Sequence, residues 1–130
     1  MMSRVNISQE LKVFLKKHIQ SVFSLEVLLL LRRERVRSFT ASEIASDVGI
    51  EIDVAQQQLS ELTSAELIET TNGDVARYRY APVDEKLASL VDQLAFAYAK
   101  QRVPILSLIL TERADRIRGF VEAYRLNRVS

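Results

Sequence analysis

The sequence predicts a mostly α-helical protein with one small β-hairpin, and three observations support this. Only three glycines and two prolines interrupt the 130 residues, which favours helices joined by short connections. Apolar residues recur at helical spacing along most of the chain. One segment departs from that pattern: two strand-like runs, 68–71 and 75–80, flank Asn72-Gly73-Asp74, which is typical of a hairpin turn that needs positive φ.

The predicted helices begin at residues whose side chains can cap a helix. Candidate caps precede four of them: Ser8, Ser21 or Ser24, Thr40 and Asp84. Glu43 would complete a capping box with the third of these, and Gly49 would end that helix. A fourth helix is predicted from about Asp53, one more has Pro104 in its first turn, and a last one covers 114–126.

Six positions between 39 and 68 follow a helix-turn-helix pattern. They are Ala45 inside the first helix, Gly49 in the turn, Leu59 and Leu62 in the second helix, and Leu67-Ile68 at the entrance to the hairpin. This pattern resembles bacterial transcriptional regulators of the MarR and ArsR type, over about 25–82. The resemblance implies a winged helix-turn-helix that binds duplex DNA. Glu66 stands where that family usually has glycine, so we expect this helix to end differently, because a left-handed non-glycine residue costs about 1 kcal/mol.

We expect a winged-helix domain at 1–82, extended by C-terminal helices at 83–130. These helices carry a long apolar stripe: Leu87, Leu90, Val91, Leu94, Tyr98, Ile105, Leu106, Leu108 and Ile109. The stripe is more apolar than one wall of a small domain needs, which favours a two-fold homodimer interface. The alternative is that the helices fold back over the first helix of the same chain.

The outward residues of the fourth helix are candidate DNA contacts. They are Asp53, Val54, Gln56, Gln57 and Ser60. Glutamine can pair with adenine, and aspartate can accept a hydrogen bond from cytosine. The alternative interpretation is a solvated polar face that contacts nothing.

Two groups of arginines are further candidates for DNA binding. Arg77 and Arg79 alternate with tyrosines in the second strand, so both point to one face, toward phosphates or toward solvent. The second group lies at the end of the second helix and just beyond it, and consists of Arg32, Arg33, Arg35 and Arg37. It could bind a DNA backbone or an acidic partner, or it could only compensate the charge at the helix end.

The charge of the helix-turn-helix opposes DNA binding. Residues 39–76 contain eight Asp and Glu and no Lys or Arg, although the whole chain has a net charge of +1. Affinity for DNA comes largely from neutralising phosphates, and an acidic surface repels them. A second hypothesis is therefore a protein-interaction module, which does not bind DNA and docks a basic partner through its acidic helix-turn-helix.

Catalysis is not expected. The chain has one histidine and no cysteine, its glycines are far apart, and no His and carboxylate cluster has metal-ligand spacing. We therefore expect no enzyme activity, no cofactor and no metal. His18 could sense pH, but an ordinary helical residue is the simpler interpretation.

No apolar run approaches the roughly 20 residues of a membrane span and no signal peptide is visible, so we expect a cytoplasmic protein.

Overall fold

The computed structural model describes residues 7–111, which form six helices and three short strands. The helices are α1 (Gln9–His18), α2 (Val22–Arg33), α3 (Ala41–Val48), α4 (Ile52–Ser64), α5 (Glu85–Lys100) and α6 (102–111); the strands are β1 (Phe39–Thr40), β2 (Ile68–Thr71) and β3 (Arg77–Tyr80). The prediction of a mostly helical fold with a hairpin wing is confirmed. The last predicted helix, 114–126, lies outside the described residues.

Helix starts follow the capping residues that the sequence indicates. Each cap side chain accepts a hydrogen bond from a backbone N–H three residues further on: Ser8 from Leu11 at 3.1 Å, Ser21 from Ser24 at 3.1 Å, Thr40 from Glu43 at 3.1 Å and Asp84 from Leu87 at 2.8 Å. The Glu43 carboxylate accepts the Thr40 N–H in return at 2.9 Å, which completes the capping box. Gly49 ends α3 with φ 79°, as predicted.

α2 lies at the centre of the fold and packs against α3, α4 and β3, while α1 packs against α5. Leu25, Val27, Leu28 and Leu31 of α2 are completely buried, because apolar residues occur on nearly every side of this helix. All described helices contribute to one hydrophobic core. Within 7–111, none of them has both the length and the apolar character that a membrane crossing requires.

The sheet has three antiparallel strands in the order β1, β3, β2. The sequence did not predict β1, which has only two residues and pairs Phe39 with Tyr78 and Thr40 with Arg77. The turn prediction was also wrong in detail. β3 begins at Arg77 instead of 75, and Gly73 does not have positive φ, because a five-residue connection reverses the chain in place of a tight two-residue turn.

The end of α4 corrects another expectation. Glu66 adopts the left-handed backbone with φ 62°, the conformation that glycine usually takes at this position. Its N–H donates to the Thr63 carbonyl at 3.0 Å, and the Leu67 N–H donates to the Leu62 carbonyl at 3.2 Å. These two bonds form the Schellman motif, so α4 ends in the usual geometry despite its glutamate.

The C-terminal helices fold back over the chain itself. Of the predicted dimer stripe, five residues are buried within the single chain: Leu90, Val91, Leu94, Ile105 and Ile109. They belong to the core of the single chain and have almost no exposed surface in it. Four others are half-buried at the edge of this core: Leu87, Tyr98, Leu106 and Leu108. Helical periodicity identified the apolar face but not what covers it.

Candidate nucleic-acid interface

α4, the second helix of the helix-turn-helix, presents a polar row to solvent. Asp53, Gln56, Gln57 and Ser60 are exposed, as expected from their spacing on one helical face. Val54 is half-buried. The opposite face is buried against α2 and α3 through three apolar residues: Ala55, Leu59 and Leu62. The structure therefore brings together the polar candidates on α4 that the sequence indicated.

The wing lies beside this helix, since β2 follows α4 directly. Arg77 and Arg79 are exposed and Tyr78 and Tyr80 are half-buried, so the predicted alternation is confirmed. Arg79 lies opposite Glu69 in the strand register, and the two side chains form an ion pair. Both arginines of the wing thus face solvent, but Arg79 already has a carboxylate partner.

Glu43 links the wing to the start of α3. Its carboxylate lies 3.4 Å from the Arg37 guanidinium and 3.8 Å from that of Arg77. The hydrogen bond from the Thr40 backbone N–H lowers the pKa of Glu43, and its two arginine neighbours lower it further. Sequence reasoning gave this residue only a capping role. No sequence signal indicated its contact with Arg77, because that contact depends on the pairing of β1 with β3.

The four arginines at the end of α2 and just beyond it have different environments. Arg32 binds Asp92 of α5 at 3.0 Å. Arg37 lies 3.6 Å from Glu34 and also stacks on a ring, with its guanidinium carbon 4.2 Å from the Phe39 centroid. Arg33 and Arg35 are exposed and form no ion pair with any residue in 7–111. Of the six candidate arginines, these two are therefore the free cations in the described part of the chain.

The carboxylates of the helix-turn-helix are mostly unpaired. Apart from Glu43 and Glu69, six of them are exposed and have no ion pair within the region that the structure covers: Asp47, Glu51, Asp53, Glu61, Glu66 and Asp74. Folding therefore leaves most of the negative charge of residues 39–76 uncompensated by direct contacts. The surface around α4 remains acidic.

Between residues 7 and 111, no group of His, Cys, Asp and Glu is arranged to hold a metal ion. His18 packs against Phe14 with 5.4 Å between ring centroids, and burial lowers its pKa, with a smaller contribution from Lys17. His18 therefore binds its proton only at lower pH than an ordinary histidine does.

The helix-turn-helix and its wing define a winged helix-turn-helix protein, and solved structures agree. The chain is similar to HlyU from Vibrio cholerae (17% identity, TM-score 0.54, covering 72% of this chain and 99% of HlyU). It is also similar to a variant of ZitR from Lactococcus lactis (16%, 0.53, 98% and 82%) and to AntR, an antimony-specific transcriptional repressor (20%, 0.52, 78% and 93%). At these identities the similarity concerns the fold. No protein-family model and no curated protein matches the chain.

Proposed function

We propose that this protein is a transcriptional regulator that binds duplex DNA as a homodimer, through α4 and the wing. The observation that carries the proposal is the exposed row Asp53, Gln56, Gln57 and Ser60 on the second helix of a helix-turn-helix. Such a helix can enter a major groove, where Gln and Asp side chains can contact base edges. One of the structurally similar proteins, AntR, is a transcriptional repressor.

The ion pairs of the wing do not prevent DNA binding. Arg79 with Glu69 and Arg77 with Glu43 are exposed pairs, and such pairs contribute about 0–1 kcal/mol each. A phosphate can replace either carboxylate, since phosphate contacts also release counterions. Arg33 and Arg35 have no ion-pair partner among the described residues, so a phosphate can bind them without displacing a carboxylate. The unpaired carboxylates near α4 repel DNA, so we expect modest affinity that depends steeply on salt.

Fluorescence anisotropy tests this proposal. The protein is titrated onto labelled random duplex DNA at about 50 and about 200 mM salt. Arg79→Ala should weaken binding at every sequence and reduce the salt slope by about one. Glu69→Gln is the matched variant, because it releases the same arginine and should strengthen binding. Absence of binding at low salt, or a Glu69→Gln protein that binds no better than the parent, would contradict DNA binding by the wing.

The homodimer that we propose forms through α1. Val13 is 54% exposed at the middle of this helix, and Glu10 and Lys17 are exposed on the same side of the helix, one turn before and one turn after Val13. Half-buried Leu87 and Leu108 line the grooves that flank the helix. In an antiparallel pair of α1 helices centred on Val13, Glu10 lies opposite Lys17 of the second copy, and Lys17 lies opposite the Glu10 of that copy in the same way. A two-fold interface requires this kind of self-complementarity.

Sedimentation velocity on charge variants tests this interface. Val13→Glu should shift the protein from dimer to monomer, whereas Val36→Glu, at a valine that is 95% exposed outside α1, should not. Glu10→Lys should weaken the dimer, and adding Lys17→Glu should restore it. A parent protein that is monomeric at micromolar concentration, or a double variant as weak as the single one, would contradict the α1 interface.

The six unpaired carboxylates favour a second candidate, a module that docks a basic protein segment and does not bind DNA. Ile52, 44% exposed at the start of α4, offers such a segment an apolar contact between Glu51 and Asp53. The double variant Asp53→Asn with Glu61→Gln distinguishes the two hypotheses. A DNA-binding protein should bind random duplex more tightly after this change, because repulsion falls and non-specific binding does not depend on the base contact proposed for Asp53. A protein-interaction module should bind duplex neither before nor after it.

A further inference from the structure

A cavity of about 580 Å³ lies between α2, the end of α3 and the junction of α5 with α6. Leu29, Leu30 and Val48 form its apolar side, and Leu30 is almost completely buried. Sites for small ligands usually have volumes of roughly 300–1,000 Å³ and combine apolar walls with a few polar groups. The cavity therefore has room for a small organic molecule.

Most of the charged groups around this cavity already have partners. The Tyr98 hydroxyl donates to Glu26 at 3.2 Å, and the Arg102 guanidinium lies 3.8 Å from the same carboxylate. Arg102 also lies over the Tyr98 ring, 5.1 Å from its centroid. Glu34 pairs with Arg37 at 3.6 Å. These contacts form the polar wall of the cavity, and the groups that make them are already paired within the chain.

Two lining groups of opposite charge remain without partners in the described residues: Arg33, the last residue of α2, and Asp47, in the last turn of α3. Both side chains are exposed, and neither forms an ion pair or hydrogen bond with the other or with any residue of 7–111. The C-terminal end of α3 adds partial negative charge beside Asp47. The cavity thus presents a separated cationic and anionic group above an apolar surface.

We propose that this cavity binds a small zwitterion with an apolar body, such as an aliphatic α-amino acid. Its carboxylate binds the Arg33 guanidinium, its ammonium group binds Asp47, and its side chain packs on Leu29 and Val48. This arrangement neutralises both free charges at once, which a singly charged ligand does not. Asp47 immediately precedes Val48 and the Gly49 turn into α4, so the ligand joins α2 to the helix-turn-helix.

Isothermal titration calorimetry with three matched probes tests the site. L-Leucine carries both charges, 3-methylbutylamine is the same molecule without its carboxylate, and 4-methylpentanoate lacks the amino group. We expect L-leucine to bind and each analogue to bind at least about tenfold more weakly, since each loses one charge-assisted contact. These measurements use the unmodified chain and do not depend on whether it binds DNA.

Substitutions of the lining residues then test which side chains contact the ligand. Arg33→Gln and Asp47→Asn should each reduce the affinity for L-leucine about tenfold. Arg35→Gln is the matched control, because Arg35 is also exposed and unpaired in the described part of the chain but does not line the cavity. No L-leucine binding up to about 20 mM would overturn the proposal. Equal binding of the amine or the acid, or an Arg35→Gln effect as large as that of Arg33→Gln, would also overturn it.

Discussion

Glu66→Gly should stabilise the protein, because glycine suits the backbone at the end of α4 better than glutamate does. Glu66 has φ 62°, where a residue with a Cβ is strained by roughly 1–2 kcal/mol. Its side chain is exposed, so its removal leaves no cavity. The carboxylate also lies at the negative end of the α4 dipole with no ion-pair partner among residues 7–111, which is unfavourable by about 0.3–1 kcal/mol.

The two contributions can be separated by a second substitution. Glu66→Ala removes the charge but keeps the Cβ, so it should raise the free energy of unfolding by only about 0.5 kcal/mol. Glu66→Gly also relieves the backbone strain, and this gain is partly offset by the larger conformational freedom of glycine in the unfolded chain. We expect a further gain of about 1 kcal/mol over the alanine variant, which corresponds to roughly 4 °C in Tm.

Urea unfolding, followed by circular dichroism at low and high salt, measures both effects. High salt should reduce the stability that Glu66→Ala gains over the parent protein, because salt screens the charge contribution. It should not change the difference in free energy of unfolding between the alanine and glycine variants, since both lack the charge. Glu61→Gly is the matched control: an exposed glutamate inside the same helix, where glycine should cost about 1 kcal/mol. A Glu66→Gly protein no more stable than Glu66→Ala would refute the left-handed backbone at this position.

Three other substitutions test the fold at separate points. Thr40→Ala removes the cap of α3 and should lower the free energy of unfolding by about 1 kcal/mol in the same urea assay. Leu59→Ala, at a fully buried residue of α4, should cost about 2–5 kcal/mol, and a smaller loss would indicate that α4 is not packed on the core. The lowered pKa of Glu43 means that its stabilising effect is complete above the ordinary glutamate pKa and is lost as the pH falls through the lowered value. Glu43→Gln should therefore make stability less dependent on pH in this acidic range, and an unchanged acid profile would contradict the assigned hydrogen bonds.

The helices could be predicted from the sequence because their starts are local events. Ser8, Ser21, Thr40 and Asp84 each bind a backbone N–H only three residues away, so a short window contains the whole interaction. Gly49 ends α3 for an equally local reason. The winged-helix order follows from these boundaries and from the two strands after α4.

What the sequence did not predict depends on contacts between distant segments. β1 exists only because Phe39 and Thr40 pair with β3, and two residues carry no strand pattern of their own. The apolar stripe of α5 and α6 was correctly recognised as a face to be covered. Periodicity could not distinguish α1 of the same chain from a second copy, since both would bury the same side chains. The outward face of α4, by contrast, follows from helical spacing alone.

The charge available for binding also emerges only in the folded chain. The sequence shows six arginines near the helix-turn-helix, yet Arg32 is paired with Asp92, 60 positions away, and Arg77 shares Glu43 with Arg37. Breaking an exposed ion pair to free its arginine costs little free energy. An unpaired carboxylate, by contrast, repels a phosphate whether or not the neighbouring arginines are paired. For this reason, neutralising Asp53 and Glu61 should change DNA affinity more than breaking any one arginine pair. The acidic residues of α4, and not the arginines of the wing, then limit how tightly this protein can bind a duplex.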